Sequence, residues 1–174
     1  MYILQTSQTD TQQPTTPLQP LGISGLGGWL VLVQIGMYLT ILLLAIQIFQ
    51  NNITAFEPDV WDALTSKDSS FYHALWAPTI IFELIYNVSF LLFTIVMLFM
   101  FYFKKAVFPK LAILFYIISL IVTVIDLILA YQIPLARELM DSSEYRDIFK
   151  AIITCAIWVP YFLKSERVQN TFIR

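Results

Sequence analysis

A chain of 174 residues that is 58% hydrophobic and only 13% charged departs from soluble domains, which run at about 45–50% apolar and about 25% charged, and its excess apolar surface calls for lipid as solvent. The formal net charge of −2, with no basic stripe interleaved with aromatics, argues against nucleic-acid binding. One cysteine, Cys155, and one histidine, His73, exclude an internal disulfide and a Cys/His zinc site, and no cofactor is expected.

The chain begins with a Gln/Thr/Pro-rich tail, residues 1–22, which holds no Lys or Arg and too little apolar area to offset chain entropy, so disorder is expected there. It lacks the basic and apolar regions of a cleaved signal peptide, which predicts that the first hydrophobic span is kept as an anchor. A four-span membrane domain is expected over 23–174. Gly22, Gly25, Gly27 and Gly28 lead into span one, about 29–49, which opens on Trp29 at interface depth. Span two covers about 77–103, span three about 108–133 and span four about 148–163. At roughly 1.5 Å per helical residue, span two is long enough to cross about 30 Å of hydrocarbon. The expected fold is thus all-α, a polytopic four-helix transmembrane bundle with a short surface helix in the first outer loop.

Between spans one and two, Pro58 after Glu57 suits the first turn of that short helix, and Val60, Trp61 and Leu64 fall on one face of it. Phe71, Tyr72 and Trp76 belong in an aromatic belt, with His73 as a solvated interfacial histidine. Asn52-Ile53-Thr54 in this loop matches a glycosylation acceptor. The next loop, 104–110, is a tight basic turn, and Pro134 stops span three before Asp141 or Ser142 caps the approach to span four. Four spans put both termini on one side. Lys104, Lys105, Lys110, Lys164, Arg167 and Arg174 flank that side, against Lys67, Arg137, Arg146 and Lys150 on the other, which places the termini in the cytoplasm.

Each span carries one polar stripe: Gly36, Thr40 and Gln47 on the first; Glu83, Asn87 and Thr94 on the second; Ser119, Thr123 and Asp126 on the third; Asp147, Lys150, Thr154, Tyr161 and Ser165 on the fourth. Stripes of this kind turn inward in a bundle. Spans two and three run in opposite directions, so Glu83 and Asp126 fall at similar depth, and the long stem of Lys150 brings its ammonium within range of them. Two readings follow. In one, the acids bind and release protons or hold a cationic ligand near the outer leaflet. In the other, they are struts that fix helix register, bonded to Asn87, Thr123 and Lys150. No nucleophile, base and orienting group stand together, so the chain is read as non-enzymatic.

Span four closes on Trp158, Pro160 and Tyr161, a proline within its last turns, and continues into a polar stretch with Arg167 before Phe172. Gly28 and Trp29 begin span one on the same side, so these residues form an inner-face interaction candidate where glycine permits close backbone approach. The runs Gly-Leu-Gly-Gly-Trp-Leu at 25–30 and Trp-Val-Pro-Tyr-Phe-Leu-Lys-Ser-Glu-Arg-Val-Gln-Asn-Thr-Phe at 158–172, with Glu83 and Asn87 in span two, resemble the YdgK-like bacterial inner-membrane proteins, a domain-of-unknown-function family with four predicted spans. The resemblance covers about 22–172 and implies a bacterial plasma-membrane location; it brings no activity and no catalytic residue.

The leading expectation is a small accessory, scaffold or sensing protein that acts through its outer loop and inner tail, with the bilayer and a membrane-protein partner or a second copy of the chain as its partners. The alternative is a proton-linked carrier or receptor for a small cationic or amphipathic ligand, resting on Glu83 and Asp126.

Overall fold

A computed structural model describes residues 22–140 and 142–173. All of the expected disordered tail except Gly22, and the capping candidate Asp141, lie outside the described residues. Of the described residues 80% are helical, and none is in a strand.

Helix α1, Trp29–Gln47, starts at Gly28, whose φ of 63° is a left-handed conformation that a side chain would strain. At its far end α1 widens without a break into a π-helical segment, Ile48–Asn52, in which the Ile53 N–H donates to Ile48 O at 2.9 Å. A 3-10 turn, Thr54–Phe56, follows. Helix α2, Pro58–Thr65, has proline at its first turn, where a missing N–H costs nothing. Val60, Trp61 and Leu64 on it are half-buried, and Trp61 stacks on Phe56 with ring centroids 5.1 Å apart.

Helix α3, Trp76–Tyr102, ends where Lys104 takes a positive φ of 51° and the Lys105 N–H donates back to Met100 O at 3.0 Å, a closure that glycine usually makes. Helix α4, Phe108–Gln132, stops before Pro134, which opens the short α5, Pro134–Leu139. Helix α6, Ser142–Lys164, starts about two turns earlier than its apolar run and continues through Pro160. Helix α7, Glu166–Thr171, is capped by the Ser165 side chain, which accepts from the Val168 N–H at 3.4 Å.

Three helical stretches, Trp29–Phe56, Trp76–Tyr102 and Phe108–Gln132, are long and apolar enough to cross a membrane, with mean hydropathies of 2.3, 2.3 and 2.7. Only 6% of the most apolar window of α4 is buried inside the protein, so its apolar surface faces outward. Helix α6 carries Arg146, Asp147 and Lys150 in its first turns, and its uncharged run is shorter than those of the other three.

The long helices alternate in direction. Helix α1 packs on α3, α3 on α4, and α4 most extensively on α6. One end of this bundle is sealed. Leu30, Val33 and Met37 of α1, Met97 and Phe101 of α3, Phe108 and Ala112 of α4, and Phe162 of α6 form a single buried cluster there. Helix α7 folds back to complete it, so that Phe172 stacks on Phe108 at 4.7 Å and lies 5.8 Å from Phe101. Thr171 Oγ1 accepts from the Gly25 N–H at 2.9 Å and donates to Gly25 O at 3.3 Å, which ties the two ends of the described chain together.

Since Phe172 is buried against two aromatic rings, Phe101 and Phe108, Phe172→Ala is expected to destabilise the protein by about 3–5 kcal/mol, read as thermal unfolding in detergent micelles. A loss below about 1 kcal/mol would place the tail outside the core.

Candidate functional site

At the end opposite the aromatic seal the helices leave a cavity of about 340 Å³. It is lined by Gln47 of α1, Glu83, Tyr86 and Asn87 of α3, Thr123 and Asp126 of α4, and Asp147 of α6, with Met140 from the loop before α6. The antiparallel packing of α3 on α4 brings Glu83 and Asp126, both half-buried, to one depth in the wall of this cavity. Asp126 Oδ1 is fully buried and has no hydrogen-bond partner among the described residues.

The residues expected to neutralise this pair are engaged elsewhere. Lys150 projects outward, exposed, and its Nζ bonds Asp147 Oδ1 at 2.7 Å, one turn away on the same helix. Its expected reach toward the acids is therefore not made: a lysine at the solvated end of a helix finds an adjacent carboxylate without the desolvation that entering the bundle would cost. Thr123 Oγ1 donates to Ser119 O at 2.9 Å, an intrahelical bond that leaves Asp126 unserved. Asn87, 6% exposed, donates through Nδ2 to Asn52 Oδ1 at 2.9 Å.

Asn52 is the residue that sequence reasoning placed wrongly. It matched a carbohydrate acceptor in an outer loop, yet it is 1% exposed and clamps the π-helical segment to α3. The extra residue per turn in that segment rotates it inward, and nothing in the sequence marks a π turn. Tyr86 was likewise missed. It lines the acid cavity and a second cavity nearer the sealed end, and its ring packs on Phe90 at 4.4 Å.

The inner-face candidates do converge, but on one another. Trp29 lies 6.2 Å from Trp158 and 6.4 Å from Tyr161, which are themselves 5.7 Å apart. The Arg167 guanidinium lies across Gly27 and Gly28, 3.3 and 3.4 Å from where a Cβ would stand, and its Nη1 reaches Ser24 O at 3.5 Å. Pro160, exposed on α6, supplies no N–H for the Ala156 carbonyl. His73 is half-buried, its Nδ1 accepting from the Leu75 N–H at 3.3 Å, and Cys155 Sγ donates to Tyr116 O at 3.1 Å. Among the described residues, no group of three or more His, Cys, Asp or Glu side chains is placed to hold a metal ion.

A family model described as protein of unknown function (DUF2569) matches residues 23–173. The chain belongs to this family. The match takes in all seven helices, the acid cavity and the aromatic seal, so the site is part of the DUF2569 unit and not an addition to it. No curated protein and no solved structure matches the chain.

The Asn52–Asn87 bond predicts coupled effects. Asn52→Ala strands a buried amide and is expected to cost about 1–3 kcal/mol, whereas adding Asn87→Leu removes the stranded group and recovers part of that loss. A double-mutant cycle of thermal unfolding in detergent should give a coupling of about 0.5–2 kcal/mol. Strict additivity would contradict the bond.

Proposed function

We propose that the chain is a non-enzymatic, four-span protein of a bacterial inner membrane that binds a small cationic or amphipathic ligand at Glu83 and Asp126, as a receptor or a proton-linked carrier. Helix α6 is the fourth span, its charged first turns standing in the headgroup region, and α2 lies on the outer surface. The sealed end carries Lys104, Lys105, Lys110, Lys164 and Arg167 and faces the cytoplasm, with both termini on that side. The YdgK-like resemblance supports the bacterial setting.

The observation that carries the binding reading is the missing counter-charge. Two carboxyl groups share a cavity, one of their oxygens is buried without a partner among the described residues, and the lysine expected to serve them is bonded instead to Asp147, at the exposed edge of the same cavity. A structural strut would satisfy its own polar atoms, because an orphaned polar group in an apolar setting costs several kcal/mol. An ammonium group donates three hydrogen bonds and one positive charge, which is what this pair lacks.

The scaffold reading is weakened on one side and kept on the other. The inner tail is spent within the fold, with Val168, Thr171 and Phe172 buried. The outer loop still exposes Phe71 and Tyr72, so a membrane-protein partner or a second copy would meet the protein there.

Binding of propylammonium to the protein in lipid nanodiscs tests the leading reading. Glu83→Gln and Asp126→Asn are each expected to weaken it about 10- to 100-fold, the loss of one charge-assisted bond, while Lys150→Ala changes it less than about twofold. Protons and ammonium compete for the same oxygens, so binding weakens as the medium is acidified. An affinity that survives the double substitution would overturn the assignment. Deleting residues 166–173 tests the inner-tail role: loss of the fold, rather than loss of a copurifying partner from an intact protein, is the expected result.

A further inference from the structure

Beside the acid cavity lies a second one of about 280 Å³, which draws its lining from all four long helices. Thr40 and Leu43 come from α1, Phe90 from α3, Phe115 from α4, and Ala151 and Thr154 from α6. The two cavities meet at Tyr86, which lines both.

The space exists because α1 and α6 are held together at one end only. Trp29 touches Trp158 and Tyr161 at the seal, and elsewhere the two helices scarcely meet. Trp29, Gly36, Thr40, Leu43 and Gln47 share the side of α1 that faces this gap, by helical spacing. A Cβ built on Gly36 would meet nothing within 4 Å, so no neighbouring helix closes the crevice at that level. Small side chains at Gly36, Thr40, Ala151 and Thr154 widen it further.

We propose that this crevice takes the hydrocarbon chain of a single-chain cationic amphiphile whose ammonium group sits on Glu83 and Asp126. The inference rests on the cation-binding reading above and adds the nature of the ligand's other half. A crevice whose walls are mainly apolar offers water few partners, and left empty it forfeits the dispersion contacts of those walls. The charge of the acid pair selects the head, because a carboxylate or phosphate amphiphile would bring a third negative group to two that already repel. The lining selects the tail: Leu43, Leu44, Phe90, Phe115 and Ala151 give the crevice mainly methyl, methylene and aromatic walls, with the hydroxyls of Thr40, Ser119 and Thr154 among them. From Asp147, at the acid cavity, to Cys155, at the second one, α6 rises about 12 Å, a depth that one unbranched chain fills. The chain enters sideways from the bilayer between α1 and α6, and the head then reaches the acids without crossing the hydrocarbon.

The test uses the full chain in phosphatidylcholine nanodiscs and a dodecylamine with a photoactivatable diazirine near its chain end. Adducts are expected on the walls of the second cavity, from Thr40 and from 151–155, and unlabelled dodecylamine should displace them where dodecanol does not. Ala151→Phe from α6 and Thr40→Leu from α1 each fill the crevice by an independent route and should cut the adducts about tenfold, the equivalent of about 1.4 kcal/mol. Adducts spread over outward residues such as Leu42 and Phe99, or displaced equally by dodecanol, would overturn the proposal. Protection of Glu83 from a carbodiimide by propylammonium, in the same nanodiscs, reads the acid cavity separately. Protection without crevice adducts overturns the chain slot and leaves the cation site standing; absence of both overturns the two together.

Discussion

Phe108 holds this bundle together. Its ring meets Phe101 at 5.2 Å, Phe162 at 5.9 Å and Phe172 at 4.7 Å, so α3, α4, α6 and the C-terminal segment are locked at one level. Offset and edge-on aromatic contacts of this sort add about 0.5–1.5 kcal/mol each beyond the area they bury. In a helical bundle surrounded by lipid that increment matters more than usual, because lipid tails are as apolar as the side chains and burial alone gives helices little reason to associate. Packing therefore decides where the helices meet. Here it places nearly the whole buried apolar cluster at one end, and the other end is left to open.

The accounting of polar groups follows the same division. Along the helices several buried or half-buried polar side chains serve each other or a local carbonyl: Asn52 with Asn87, Thr94 Oγ1 to Phe90 O at 2.7 Å, Thr123 to Ser119 O. On the outward face of α1 and α3, Gln34 bonds the Tyr102 hydroxyl, which also pairs with the Tyr38 hydroxyl at 2.8 Å. Among the described residues, three fully buried side-chain oxygens have no partner: Thr79 Oγ1, Tyr161 OH and Asp126 Oδ1. Of these three only Asp126 belongs to an ionisable group that lines a cavity.

Two surfaces that looked alike in the sequence thus have different roles. The closing segment around Trp158, Tyr161 and Arg167 is an internal latch, in which an arginine lies across two glycines and three aromatic rings meet. The acid pair is a cavity wall. The latch depends on Gly28 and the residues beside it: the positive φ at that point lets the chain pass beneath Arg167 before α1 begins.

By itself the sequence determined the helices and their order. Three apolar runs expected over 29–49, 77–103 and 108–133 became α1, α3 and α4 within one or two residues, and Pro58 opened the short helix where it was expected, because length, hydropathy and proline act locally. The pairing of Glu83 with Asp126 was legible too, since antiparallel neighbours of known length put them at one depth. What only the tertiary structure decided was partnership. The π turn that buries Asn52, the choice of Lys150 for Asp147, the folding back of α7 and the crevice between α1 and α6 all depend on which side chains meet across the bundle. Residue spacing along one helix fixes the face a side chain occupies, but the competition between a solvated neighbour and a buried one is settled by desolvation, which exists only once the helices are in place.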